Sequence, residues 1–193
     1  MNKGKVFIVI LNYNSWQDTI ECLHSLTNIN YQNYNIVIVD NDSTDASIKK
    51  IKQYMIEKKI GHIFFKSPEE SMSYRNNISF VSLIQSGYNG GYGYGNNIGV
   101  KYALSNEADY VLILNNDTIV DANFLKPMVD ICENDKTVGI VGGKILFYDR
   151  QDIIWFNGGK FSPYTGKVKH CNFKEKDIGQ TPPGHITFMT GCM

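Results

Sequence analysis

Asn115, Asn116 and Asp117 close the apolar run Tyr110-Val111-Leu112-Ile113-Leu114 with two amides and one carboxylate. An Asp at the C-terminal end of a buried parallel strand is placed to hold a divalent cation against phosphate oxygens, because open α/β sheets bind ligands outside those ends. The same three residues also suit a polar turn that caps a following helix. Two further strand-like runs end in the same way. Val6 to Leu11 runs into Asn12-Tyr13-Asn14, and Asn35 to Val39 runs into Asp40-Asn41-Asp42-Ser43-Thr44-Asp45. Three such ends converge on one crevice in a doubly wound sheet. Near-continuous Val/Ile/Leu runs are what strands buried on both faces require, and the helical spacing between them supplies the covering helices.

The elements that must position these residues follow from the pattern. Ser15 is placed to cap a helix running to about Leu26, with Ile20, Leu23, Leu26 and Trp16 inward. Ser43 or Thr44 is placed to cap the next, whose stripe is Ile48, Ile51, Met55 and Ile56. His62 to Phe65 and Phe80 to Ile84 read as strands, with a turn or short helix at Ser67 to Glu70. Asn89 to Gly99 is rich in glycine and tyrosine and leads into a helical Val100 to Leu104. Its glycines permit the backbone conformations that close approach to a ligand needs. A helix is expected from Asp121 to Cys132, with Phe124, Leu125, Met128 and Val129 inward, then a strand with a glycine bend from Val138 to Ile145. Beyond Tyr148 the pattern changes to short β-like pieces at Ile153–Gly159, Lys167–Phe173 and Ile186–Thr190.

Composition bounds the function. The 193 residues are 42% hydrophobic and 20% charged with a formal net charge of +0, which suits a globular protein and gives no general electrostatic grip on nucleic acid. No apolar run reaches membrane-spanning length, and the N-terminus leads straight into a strand rather than a signal peptide. Cys22, Cys132, Cys171 and Cys192 show no C-x-x-C spacing and read as reduced structural thiols, and the four histidines form no paired motif. The sequons Asn41-Asp42-Ser43 and Asn116-Asp117-Thr118 fall inside the proposed site, where glycans would block it. The expected compartment is the cytoplasm. A dinucleotide fingerprint fails because Gly93 and Gly95 would require glycine where Ile98 stands, and no Gly-Lys-Ser/Thr follows to make a phosphate-binding loop. A sugar nucleotidyltransferase would carry a glycine- and arginine-rich loop after the first strand, where this chain has Asn12-Tyr13-Asn14-Ser15-Trp16.

Taken in order, Ile10-Leu11-Asn12-Tyr13-Asn14, Val39 to Asp45, Asn89 to Gly99 and Leu114-Asn115-Asn116-Asp117-Thr118 resemble the motifs of family 2 glycosyltransferases with the GT-A fold, in particular the rhamnosyltransferase-like branch. The resemblance covers nearly the whole chain apart from about residues 61–78. It implies an α/β fold, a Rossmann-like and mostly parallel central sheet flanked by helices, with a β-rich C-terminal part that is incomplete. The donor-binding region is expected at residues 1–148 and the start of an acceptor-side region at 149–193.

The resemblance further implies that Asn12, Tyr13, Asn14, Asp40, Asn41, Asp42, Asn97 and Asn116 bind the donor nucleotide. Tyr13 offers a face to a uracil or thymine ring, and Asn41 can accept the base N3–H. Asp40 and Asp42 are candidates for ribose or base contacts, one of them alternatively a helix cap. Asn97, near a glycine-rich helix start, is a candidate to direct amide hydrogens to ribose or diphosphate. Asp117 matches the last acid of the D-x-D metal motif. Asn115 stands in place of the first, which leaves one carboxylate for Mg²⁺ or Mn²⁺. The implied reaction is inverting transfer from a UDP- or dTDP-sugar, dTDP-rhamnose among them, to a hydroxyl of a glycan or lipid-linked glycan in cell-surface polysaccharide synthesis. Peripheral association with the inner face of the membrane fits such an acceptor. In the family the general base lies in an acidic motif downstream of a segment resembling Thr190-Gly191-Cys192-Met193. The catalytic base is therefore unknown here, since Asp149 and Asp152 precede that point. The alternative is a nucleotide-sugar-binding module without complete catalytic machinery.

Overall fold

The apolar runs form strands and the segments between them form helices, as their periodicities require. The computed structural model describes residues 4–74, 79–179 and 184–190. Residues 75–77 of the weakly patterned stretch, Cys192, and most of the Thr190–Met193 segment lie outside them. The chain forms two compact units that divide inside a helix, between Val129 and Asp130, ahead of the change in pattern at Tyr148.

In the first unit, β1 (Val6–Asn12), α1 (Trp16–Leu26), β2 (Tyr34–Asp40), α2 (Ser47–Glu57), β3 (His62–Phe65), α3 (Pro68–Ser73), β4 (Val81–Gln85), α4 (Tyr92–Ser105) and β5 (Tyr110–Asn115) follow one another. The five strands form one parallel sheet in the order β3-β4-β2-β1-β5. This is the Rossmann-like sheet of the GT-A fold, and its strand order changes direction beside β1, the kind of point at which open α/β sheets bind ligands. Phe7, Val9, Val37, Val39, Phe65 and Ile84 pack against Ile98, Tyr102 and Ala103 of α4 on one face. Ile8, Ile10, Ile36 and Ile38 are equally buried, so both faces are covered.

Glycines in α4 set how close this helix comes to the sheet. A Cβ on Gly95 would stand 2.2 Å from Leu11 Cδ1, and one on Gly99 would stand 2.4 Å from Val9 Cγ1. A methyl at either position would overpack this layer at a cost of about 1–3 kcal/mol. Gly95 and Gly99 are therefore packing residues, a correction to their reading as part of a ligand-hugging loop.

Other expectations change for local reasons. Ser15 is the N-cap of α1, but its hydroxyl donates to the Asp18 carboxylate and caps no backbone N–H. Thr19 and Cys22 join Leu23 and Leu26 on the buried side, while Trp16 and Ile20 are only half-buried. Neither Ser43 nor Thr44 caps α2; the N-cap is Ala46, because Ser43 is bonded into the strand-end loops. Ile56 leaves the predicted stripe and is exposed, whereas Ser47, Ile51 and Met55 at i, i+4 and i+8 are buried.

The second unit begins within α5 (Leu125–Asn134), which starts at Leu125 because Asp121 instead makes a turn, accepting from the Asn123 N–H at 2.8 Å. Leu125 and Val129 are its buried positions, and Phe124 and Met128 are half-buried. Residues 138–144 are not a strand: three glycines fall there, no strand among the described residues pairs with them, and Ile140 is exposed. Regular pairing begins with β6 (Ile145–Phe147) against β7 (Arg150–Phe156), antiparallel, and continues with β8 (Gly159–Phe161) against β9 (Val168–His170), also antiparallel. Ile153, Ile154 and Phe156 are its buried apolar residues, with the Phe156 ring edge-on to His170 and Phe188. The Lys144 ammonium donates to Asp177 Oδ1 at 2.6 Å and to the Gly179 carbonyl at 2.7 Å, and the first of these bonds holds the Asp177 carboxyl below the ordinary carboxylate range.

Candidate functional site

Parallel register brings the predicted residues to one edge. Asn12 is the partner of Asp40 across β1 and β2, and Leu11 is the partner of Asn115 across β1 and β5. Asn12 and Asp40 are fully buried. Asp40 Oδ2 accepts from Asn12 Nδ2 and from the Ser43 hydroxyl, both at 2.7 Å, and Asp40 Oδ1 accepts from the Ser43 N–H at 3.0 Å. A buried carboxylate is tolerable only when bonded in this way. Asn12 Oδ1 accepts from the Thr19 hydroxyl at 2.7 Å, and that hydroxyl accepts from Asn116 Nδ2 at 3.1 Å. One chain of hydrogen bonds therefore links the ends of β5, β1 and β2 through α1.

The loop backbones are tied to the same network. Asn14 and Asp42 both adopt positive φ, 51° and 64°, a region that Asn and Asp tolerate better than other side chains. The Asn14 N–H donates to Ser43 Oγ at 2.9 Å, and Asn14 Oδ1 accepts the Thr44 N–H at 2.8 Å. Ser43, read in the sequence as a helix cap, is the hub of this arrangement. Its type and position carried no signal of that role, because the partners come from two strands.

Asn41 is buried, and its amide nitrogen donates to Asn89 Oδ1 at 2.8 Å and to the Gly91 carbonyl at 3.4 Å. Its Oδ1 has no hydrogen-bond partner among the described residues. A buried amide oxygen left in this state carries a desolvation cost, and those of Asn96 and Asn106 share it. Asn89 also accepts from the Gly91 N–H at 3.0 Å, a tight local turn before α4 that Gly91 makes possible with φ +83°. Asn89 was missed as a site residue; an Asn two residues before a glycine that opens a helix was the available signal.

The remaining predicted residues keep their polar heads uncommitted. Tyr13 is 47% exposed, and Tyr13, Asp42, Asn97 and Asp117 make no side-chain hydrogen bond among the described residues. Asn97 is the sixth residue of α4 and exposed, a turn beyond the helix N-terminus, which has no side-chain cap at Gly91. Tyr92, the first residue of α4, donates its hydroxyl to Asn115 Oδ1 at 3.0 Å. Under β5 lies the Cys22 thiol, which burial and then the Asp117 charge push up to about 12. That places the Asp117 carboxylate within electrostatic reach of the α1 face.

Among the described residues no group of three or more His, Cys, Asp or Glu is arranged to hold a metal ion. Asp117 stands as a single exposed carboxylate. One carboxylate completed by water and substrate phosphate oxygens is a regular way to bind Mg²⁺, so the donor set fits a cation that arrives with a diphosphate.

A parallel sheet that gathers amides, acids and an aromatic ring at its strand ends defines an α/β protein of the GT-A type. The sequence profile of Glycosyl transferase family 2 matches residues 7–193, and the chain belongs to that family. The glycosyltransferase GlyG of Streptococcus pneumoniae is 23% identical over 147 residues, which are 76% of this chain and 41% of GlyG. The chain thus spans well under half the length of that relative. Two solved structures share the fold. S. aureus TarS in complex with UDP-GlcNAc is 22% identical over 67% of this chain and 31% of its own, with a TM-score of 0.50. The mannosyltransferase PcManGT of Pyrobaculum calidifontis in complex with GDP-Man and Mn²⁺ is 18% identical over 72% of this chain and 35% of its own, with a TM-score of 0.56. No helix among the described residues is long and apolar enough to cross a membrane.

Proposed function

We propose that the strand-end crevice of the first unit binds a pyrimidine nucleoside diphosphate sugar, and that the protein transfers the sugar with inversion to a hydroxyl of a glycan or lipid-linked glycan. Family membership supports glycosyl transfer from a nucleotide sugar. The observation that carries the choice of base is the buried, unpartnered Asn41 Oδ1, fixed by the bond from its own amide nitrogen to Asn89. Uracil and thymine present an N3–H donor to such an oxygen, and cytosine presents a lone pair. Tyr13 supplies the stacking face. Asn12, Asp40 and Asn14 act by holding the loops that carry Tyr13, Asn41 and Asp42, while Asp42 and Asn97 offer polar heads to ribose and diphosphate. Asn116, bonded to Thr19, fixes the loop that carries Asp117.

Asp117 is the residue that would hold Mg²⁺ or Mn²⁺. Bound there, the cation offsets negative charge on the departing diphosphate. The solved mannosyltransferase relative carries Mn²⁺ with its nucleotide sugar, and the resemblance to rhamnosyltransferases favours dTDP-rhamnose over UDP-sugars in this chain. Titration calorimetry with UDP, dTDP and CDP in the presence of Mn²⁺ tests the reading. UDP and dTDP are expected to bind about tenfold or more tighter than CDP, the cost of facing two acceptors across a buried contact. Equal binding of all three removes Asn41 from base recognition. Diphosphate release from dTDP-rhamnose and UDP-sugars with candidate acceptors then identifies the donor.

A further inference from the structure

The β8–β9 hairpin belongs to the second unit. From Ile153 to Lys174 the sequence contains four lysines, Lys160, Lys167, Lys169 and Lys174, and no Asp or Glu. Register pairs Lys160 with Lys169 and Phe161 with Val168 directly across the two strands. Alternation then puts the two lysines on one face of the ribbon and the two apolar side chains on the other. Like charges directly opposite each other repel, and neither lysine has an acidic partner among the described residues. Phe161 and Val168 remain 45% and 42% exposed, and at the tip, between Ser162 and Gly166, Tyr164 is 97% exposed. Phe173, just past β9, is a further exposed aromatic.

Each of these features alone is an ordinary surface. Together they put an aromatic tip at the end of a ribbon that carries an apolar rung on one face and a lysine pair on the other, with Glu175 as the one acid lining the same cavity as that pair. That combination matches an interface between an apolar layer and an anionic layer, where Tyr rings settle and lysines reach outward to phosphate. A soluble polyanion would be met by the lysines and would leave Tyr164, Phe161 and Val168 without a partner. We propose that the β8–β9 hairpin docks the protein on an anionic bilayer surface, with Tyr164 and the Phe161–Val168 rung entering the headgroup layer and Lys160, Lys167 and Lys169 lying against lipid phosphates. The proposal stands apart from the donor site and does not need it.

Vesicle co-sedimentation of the 193-residue chain, with phosphatidylcholine alone and with phosphatidylcholine containing about 30% phosphatidylglycerol, is the test. The expected result is binding to the anionic vesicles only. The pair Lys160→Gln, Lys169→Gln weakens it about 25-fold, from roughly fivefold per basic residue near an anionic surface. A Tyr164→Trp variant reports insertion: quenching of its added indole emission by brominated lipid, above that of Trp16 and Trp155 in the parent, supports the proposal. Circular dichroism shows that each variant is folded. No binding to anionic vesicles overturns the proposal. So does binding that the lysine variant leaves unchanged, or salt-sensitive binding in which the added indole is not quenched, the signature of a polyanion-binding strip.

Discussion

The loops after β1 and β2 and the β8–β9 hairpin are both polar and aromatic, yet their side chains are in opposite states. In the first region most polar side chains are bonded to another residue of the chain: Asn12 to Asp40 and Thr19, Asp40 to Ser43, Asn14 to the Thr44 and Asp45 N–H groups. In the second, Lys160 and Lys169 face each other with no acidic partner among the described residues, and Tyr164 stands in solvent. The first arrangement is a preorganised frame, in which the cost of ordering the loops is met on folding and a few groups, Tyr13 and Asp42 among them, are left uncommitted; under the proposed function these meet the ligand. The second is ordered by backbone pairing alone, and its lysine side chains and Tyr164 add no bond to another residue among the described residues.

Breaking the frame is expected to have the largest effect. Asp40→Ala removes the acceptor of one Asn12 amide hydrogen, the other amide hydrogen keeping Ser43 Oγ at 3.0 Å, and the acceptor of both the Ser43 N–H and hydroxyl; it should destabilise the protein by about 3 kcal/mol, visible as a lower denaturant midpoint. Asp42→Ala, which removes an uncommitted head on the same loop, should change stability by no more than about 0.5 kcal/mol. Similar losses in both would erase the distinction between frame and free groups.

A smaller effect is expected at the exposed ring. Tyr13→Ala should weaken nucleotide binding by about 1–3 kcal/mol, the range for a base stacked on an aromatic side chain, and Tyr13→Phe should bind nearly as the parent does. Equal losses would point to the hydroxyl instead. Neither change should move the denaturant midpoint, because the half-exposed ring makes no hydrogen bond to the frame.

The smallest effect lies under the site. The Cys22 thiol ordinarily titrates at 9.0 and is raised to about 12 in the fold. The folded state thus holds the proton more tightly, so the contribution to stability is complete below pH 9.0 and is lost as pH rises toward 12. Cys22→Ala should flatten the fall in stability that begins above pH 9.0, measured by urea titration at several pH values. An unchanged slope would mean that the thiol is not sealed beneath β5.

The strands were legible because burial on both faces demands uninterrupted Val, Ile and Leu, and Val6–Leu11 and Ile36–Val39 meet that demand without any tertiary knowledge. Strand ends were legible for the same reason, since the apolar run stops where solvent or ligand begins. Two kinds of feature were hidden. Gly95 and Gly99 have their reasons in Leu11 and Val9, far away in sequence, so their glycines read as loop chemistry although they serve helix–sheet contact. Ser43 and Asn89 owe their roles to partners on other strand ends, and neither residue type announces which of several polar neighbours it will choose. The stretch at residues 138–144 misled for a third reason: an apolar segment makes a strand only when another strand is there to pair with it.

Under the proposed function, Asp117 is an uncommitted carboxylate held for a cation and a diphosphate, set on a frame that does not depend on it. Titration calorimetry of UDP with and without Mn²⁺, run on the parent and on Asp117→Ala alongside their denaturant midpoints, tests this most directly. The parent should bind UDP more tightly with Mn²⁺, and the variant should lose that enhancement, about tenfold or more, with its midpoint unchanged. A variant that keeps the full Mn²⁺ enhancement, or that loses binding only because its midpoint has collapsed, would make Asp117 a turn residue and contradict the account.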